Sequence, residues 1–207
     1  MSKAPALSDP TRVRFSAVAI VLHWTIASLM IANIGLAWRF DGLKGLAQFQ
    51  LIQLHKSLGI TVLLLTVLRL LWRLVNPPPA YPPEMKAWEK VAASATHWGF
   101  YGLMLLLPLT GWMMVSASPT GLPTLLYRTV RWPHLGFIHS LPMDQRKHLA
   151  DLFNFGHEQL ANVAYVLIVL HVAAALKHQF FNRDRVLWRM APLPFLQPRQ
   201  APSKEVR

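Results

Sequence analysis

Three histidines share one apolar stretch near the end of the chain: His157, His171 and His178, between Phe155 and Phe180. As a helix, the 14 residues from His157 to His171 rise about 21 Å. At roughly 100° per residue the two imidazoles leave the same face, with His178 near the same stripe. Two imidazoles this far apart, set across a hydrocarbon layer about 30 Å thick, point to two stacked sites rather than one. Imidazole is a metal ligand and a hydrogen-bond donor, and a membrane interior makes either role costly to leave unfilled.

The 207 residues are 53% hydrophobic and only 14% charged. Soluble domains carry about 25% charged residues, so the expected class is an all-α integral membrane four-helix bundle. Its helices are read at roughly 15–38, 47–75, 88–116 and 145–180, within one domain over 1–190, followed by a basic tail over 191–207. The first is too long and charge-free for a cleaved leader and reads as a retained helix. The proline run after Asn76 stops the second helix and makes a stiff linker. Pro108 kinks the third, and TLLYRTVRW (124–132) in the longest connection reads as a short interfacial helix.

The formal charge of +12 does not indicate nucleic acid, because the basic residues flank apolar helices and fit lipid head groups. Fourteen lysines and arginines on one side against seven on the other predict both termini in the cytoplasm and a multi-pass bacterial inner membrane protein. With no cysteine, disulfides, iron–sulfur clusters and covalent c-type haem are excluded.

Orientation converts sequence position into depth. His23, early in the first helix, meets His171 on the cytoplasmic side, and His55, early in the second, meets His157 on the periplasmic side. Neutral histidines bonded to helix carbonyls are one reading of each residue alone. The paired pattern favours metal, and zinc would ask for more ligands than two imidazoles. A planar tetrapyrrole needs only two axial imidazoles, so two non-covalent haem groups are expected, with Gly35 and Gly59 as places for close approach. His97 lies at the inner depth, where it could meet a haem propionate or quinone, as could His178. Arg69 and Arg73, one turn apart, could pair with propionates or simply anchor a helix end. His134 and His139 in the outer connection read as solvated, and Trp24, Trp72, Trp98 and Trp112 as belt or packing aromatics.

VLHWTIA, LHKSLGI, GHEQLANVAYVLIVLHVAAAL and KHQFFNRD resemble the bacterial cytochrome b561 family, over about 23–190. The resemblance implies haem b, with His23 and His171 as axial ligands of the cytoplasmic-side haem and His55 and His157 of the periplasmic-side haem. It extends to a stand-alone member that oxidises superoxide and reduces ubiquinone, which implies an oxidoreductase with ubiquinone as acceptor. Lys56, Arg128, Arg131, Arg146 and Lys147 then form a basic outer face able to steer superoxide. The alternatives are lipid contact for these charges, and, for the protein, an electron carrier or anchor between quinol and a periplasmic redox partner.

Overall fold

A helix in lipid must satisfy its backbone internally, and charges are tolerated only near its ends. Four stretches of this chain meet both conditions, and the computed structural model forms a helix from each. It describes residues 14–83, 85–182 and 186–192. Helix α1 is Ala17–Asp41, α2 Gly45–Val75, α3 Ala87–Ala117 and α5 Met143–Lys177; α4 is the short Gly136–His139. Beyond α5 a π-helical turn runs over His178–Asn182, and a 3-10 turn over Trp188–Met190. Most of the predicted tail, from 193 onward, lies outside the described residues. Four helices among the described residues are long and apolar enough to cross a membrane. Many of their large side chains face outward, such as Val21, Leu68, Val91 and Val166, where lipid takes the place of a core.

Packing is uneven in a useful way. Helix α1 lies along α2, α3 lies along α5, and α2–α3 contacts join the two pairs. Gly99 lets α3 approach α5 closely: a Cβ there would stand 3.3 Å from the Leu167 side chain. Among the described residues α5 approaches neither α1 nor α2 in this way, so an open interval lies between α5 and the α1–α2 pair. A small cluster of Ile26, Val62, Tyr101 and Met104 closes the middle of the α1–α2–α3 side.

Hydroxyls inside the spans return their protons to their own helices, as Thr66 does to the Val62 carbonyl at 2.7 Å and Ser57 to Gln53 at 2.8 Å. At one membrane face Glu89 accepts from the Lys86 backbone at 3.1 Å and pairs with Lys177 at 2.6 Å, tying the start of α3 to the end of α5. The last described turn closes the same face. The Trp24 indole donates to the Met190 carbonyl at 2.8 Å, Phe15 N–H to Arg189 at 3.2 Å, and Arg14 to Ala191. This is called the terminal face below.

The opposite face carries a correction. TLLYRTVRW is not a helix but an antiparallel hairpin, β1 Thr124–Leu126 with β2 Val130–Trp132, in register Leu125↔Arg131. Two causes combine. Tyr127 and Arg128 both take positive φ, +48° and +63°, which ends any helix and reverses the chain. Helix α2 also offers a polar stripe one turn apart, which captures the extended backbone. Gln53 donates to the Pro123 carbonyl at 2.9 Å and accepts from Leu125 N–H at 3.1 Å; Ser57 accepts from Tyr127 N–H at 2.9 Å.

Gln53→Leu leaves the Pro123 carbonyl and Leu125 N–H without their buried partner. The expected cost is about 2 kcal/mol, read as a lower Tm in detergent and faster proteolysis between 118 and 135; an unchanged Tm would separate the hairpin from the Gln53 amide.

Candidate functional site

The open interval between α5 and the α1–α2 pair is bridged by imidazoles. On the hairpin side, His55 of α2 and His157 of α5 stand with ring centroids 6.3 Å apart and planes at 72°. Each ring is fixed by a carbonyl of a neighbouring helix: His55 Nδ1 lies 3.2 Å from the Asn33 oxygen, and His157 Nδ1 lies 3.0 Å from the Leu107 oxygen. A carbonyl only accepts, so Nδ1 carries the proton in both rings and Nε2 keeps a free lone pair. Thr110 sits beside the His157 bond, its Oγ1 3.2 Å from Nδ1. Gly111 makes room for this ring, since a Cβ there would meet His157 at 3.4 Å. Phe40 packs edge-on against His55 at 5.5 Å.

On the terminal side, His23 of α1 and His171 of α5 stand 6.2 Å apart with planes at 62°. Trp24 and Phe100 pack edge-on against these two rings, at 5.6 and 5.3 Å. Sequence depth put His97 in this layer, and the fold brings it much closer than depth alone requires. Its ring is also 6.2 Å from His171, at 63°, so His171 faces two imidazoles at equal distance. Arg69 is near enough for its charge to act on His23, His97 and His171.

Two imidazoles on opposite sides of one metal, each bonded at about 2.0 Å with the nitrogen about 1.1 Å from its ring centre, have centroids roughly 6.2 Å apart. The observed 6.2 and 6.3 Å meet that requirement at both levels. Gly35 on α1 has nothing within 4 Å of where a Cβ would stand, and Gly59 meets only Asn33 at 3.8 Å. The free Nε2 lone pairs, the ring separations and the open interval suit a flat macrocycle held by axial imidazoles. Among the described residues no three His, Cys, Asp or Glu side chains are arranged to hold a bare ion.

The remaining predicted residues divide by face. Arg69 lies over the Tyr101 ring at 5.7 Å, and Arg73 over Trp98 and Tyr101 at 5.5 and 5.6 Å, so both guanidiniums rest on α3 aromatics. His178 is buried in the π-helical turn, with Asn182 Nδ2 3.2 Å from its Nδ1. On the hairpin face, a cavity of about 410 Å³ opens between α2, α3 and α5, lined by Phe49, Lys56, Ser118, Leu122, Asp151 and Asn154. Lys56 follows His55 directly in sequence, and Asn154 precedes His157 by one turn. Arg128, Arg131 and Lys147 are exposed. Arg146 is not: it is buried, and its guanidinium donates to the Ser118 carbonyl, making it a clamp on the end of α3.

Sequence reading missed two features. The carbonyls of Asn33 and Leu107 belong to residues with no chemical signal of their own. The second is the contact between His134 and His139, which the sequence reads as solvated and of which His139 is exposed. Their rings meet at 4.6 Å, because α4 turns the chain back on itself between β2 and α5. Burial, and then His139 beside it, hold His134 below the ordinary imidazole value.

A family model described as prokaryotic cytochrome b561 matches residues 14–192. The chain is 31% identical over 183 residues to the probable superoxide oxidase CybB of Yersinia pestis, covering 86% of this chain and 96% of that protein. It is 33% identical over 182 residues to cytochrome b561 homolog 1 of Escherichia coli (strain K12), covering 86% and 97%. Homolog 2 of the same organism is 29% identical over 186 residues, covering 87% and 92%.

Proposed function

The chain belongs to the prokaryotic cytochrome b561 family of membrane electron-transfer proteins, and on that premise we propose that it is a di-haem b cytochrome that oxidises superoxide and reduces ubiquinone. It is a multi-pass protein of the bacterial inner membrane. The observation that carries the di-haem reading is the pair of imidazole separations, 6.2 and 6.3 Å, built on one helix. His55 and His157 would hold one haem on the hairpin side, and His23 and His171 would hold the other on the terminal side. The hairpin side is periplasmic and the terminal side cytoplasmic, by the distribution of lysines and arginines.

Haem held by these imidazole pairs would supply one-electron redox chemistry, which suits electron transfer. The protein does the rest. Asn33 and Leu107 fix the tautomers that leave Nε2 free to ligate, and Phe40 holds the His55 ring. Lys56 puts a cation on the wall of the 410 Å³ cavity, and Arg128, Arg131 and Lys147 add positive charge outside it, which draws in a small anion. Arg146 contributes a fixed charge at the same face. Two superoxide anions each give up one electron and leave as dioxygen. One ubiquinone takes both electrons with two protons and leaves as ubiquinol.

On the terminal side, His97 and His178 are the groups able to meet a quinone carbonyl. Arg69 and Arg73, held by Tyr101 and Trp98, are placed to offset haem propionates. The superoxide reading draws on the relative named a probable superoxide oxidase and on the charged cavity. A second reading has its own observation: the exposed Arg128 and Arg131 on a rigid hairpin suit docking of an acidic redox protein, with quinol at the other end.

His157→Ala or His55→Ala is expected to remove one b-type absorbance component and leave the other, and His171→Ala the reverse. Joint loss of both haems in every variant would refute separate pairs. His97→Ala should keep two haems while His23→Ala loses one; the opposite result would reassign the terminal-side ligand to His97.

For the substrate, purified protein is mixed with a superoxide pulse in the presence of ubiquinone. Fast haem reduction and quinol formation are expected, slowed several-fold by Lys56→Gln and by salt. Slow, salt-insensitive reduction would favour the carrier reading.

A further inference from the structure

The hairpin face holds a second cluster of imidazoles that electron transfer does not use. Nδ1 of His134 and Nδ1 of His139 lie 3.3 Å apart, and Nδ1 of His139 also lies 3.2 Å from the Ser116 carbonyl oxygen. Hydrogen bonding alone serves this arrangement poorly. If His134 Nδ1 donates to His139 Nδ1, the latter turns a lone pair on the Ser116 oxygen. If His139 donates, one proton is shared between two acceptors, and the remaining His134 proton sits on Nε2, which is buried without a well-formed hydrogen bond. The Leu122 carbonyl faces the His134 ring and favours a proton on it. That leaves Nδ1 of His134 aimed at its neighbour with a free lone pair.

A cation in place of the shared proton engages the same donor atoms. Two donor atoms each about 2.0–2.1 Å from one ion stand roughly 2.9 Å apart at a right angle and roughly 3.4 Å apart at the tetrahedral angle. Both observed separations, 3.3 Å and 3.2 Å, fall in this range. Ser116 is one of the last residues of α3, so its carbonyl has no partner within the helix and stands at the negative end of the helix dipole. The loop is held in place before any ion arrives. Trp112 Nε1 donates to the Pro133 carbonyl at 2.8 Å, and Leu135 N–H donates to Ser116 Oγ at 2.9 Å.

We propose that His134, His139 and the Ser116 carbonyl form a binding site for a borderline first-row divalent cation, Cu²⁺ before Zn²⁺, completed by water. The surrounding charge sets the selectivity. Lys56 and Arg146 both act on His134 and oppose any cation. An ion bound mainly by electrostatics, such as Mg²⁺ or Ca²⁺, gains nothing from two imidazoles and is repelled. Cu²⁺ and Zn²⁺ gain enough from imidazole nitrogen to bind. Ser118 and Leu122 line the neighbouring cavity, so an occupied site stiffens its rim.

The test uses haem-loaded protein in detergent with any affinity tag removed, stripped with chelator and titrated with CuCl2. One Cu²⁺ per chain is expected, with an electron paramagnetic resonance spectrum showing coupling to imidazole nitrogen, displaced by Zn²⁺ but not by Mg²⁺. His134→Ala and His139→Ala should each weaken it at least about tenfold, and His148→Ala on α5 should leave it unchanged. Equal copper affinity in wild type and the double variant would overturn the proposal. A readout independent of variants is carbethoxylation followed by mass spectrometry. Zn²⁺ should protect His134 and His139 by several-fold, and equal labelling with and without Zn²⁺ would also overturn it.

Discussion

Two backbone carbonyls, those of Asn33 and Leu107, decide what the hairpin-side histidines can do. By accepting from Nδ1 they remove the ambiguity of a neutral imidazole and turn both Nε2 lone pairs over to ligation. In lipid this is also the cheapest way to house the ring, because the buried N–H finds an acceptor that water does not supply. The position of α5 depends on the same bond: His157 reaches α3 through Leu107 and α2 through His55, so one ring ties α5 to two neighbours. Gly111 is part of the arrangement, since a Cβ there would already stand in van der Waals contact with the ring, at 3.4 Å.

The separation of α5 from α1–α2 follows from residue size. Small residues draw helices together where lipid offers no hydrophobic drive, and Gly99 does this for α3 against α5. Gly35, by contrast, faces open space, and half-buried imidazoles extend across the gap. The bundle is therefore tight along two seams and open between them, which is the shape a flat cofactor needs.

The four spans were legible because apolar length and flanking charge are sequence properties, and the observed ends fall within a few residues of the expected ones. The depth pairing of His55 with His157 and of His23 with His171 was legible for the same reason, since alternating helices carry sequence position into depth. Two features were not. The hairpin at 124–132 depends on Gln53 and Ser57, about 70 residues away, and on positive φ at Tyr127 and Arg128, neither of them glycine. The equal approach of His23 and His97 to His171 is a matter of helix rotation, which depth leaves undetermined.

Helix α5 supplies one member of each imidazole pair, and it is the final span in the order of the chain. During synthesis, therefore, neither pair exists until three helices have already entered the bilayer. The earlier spans wait with His23, His55 and His97 unmatched, as an open half-mould. Both levels are completed by one insertion event, that of α5.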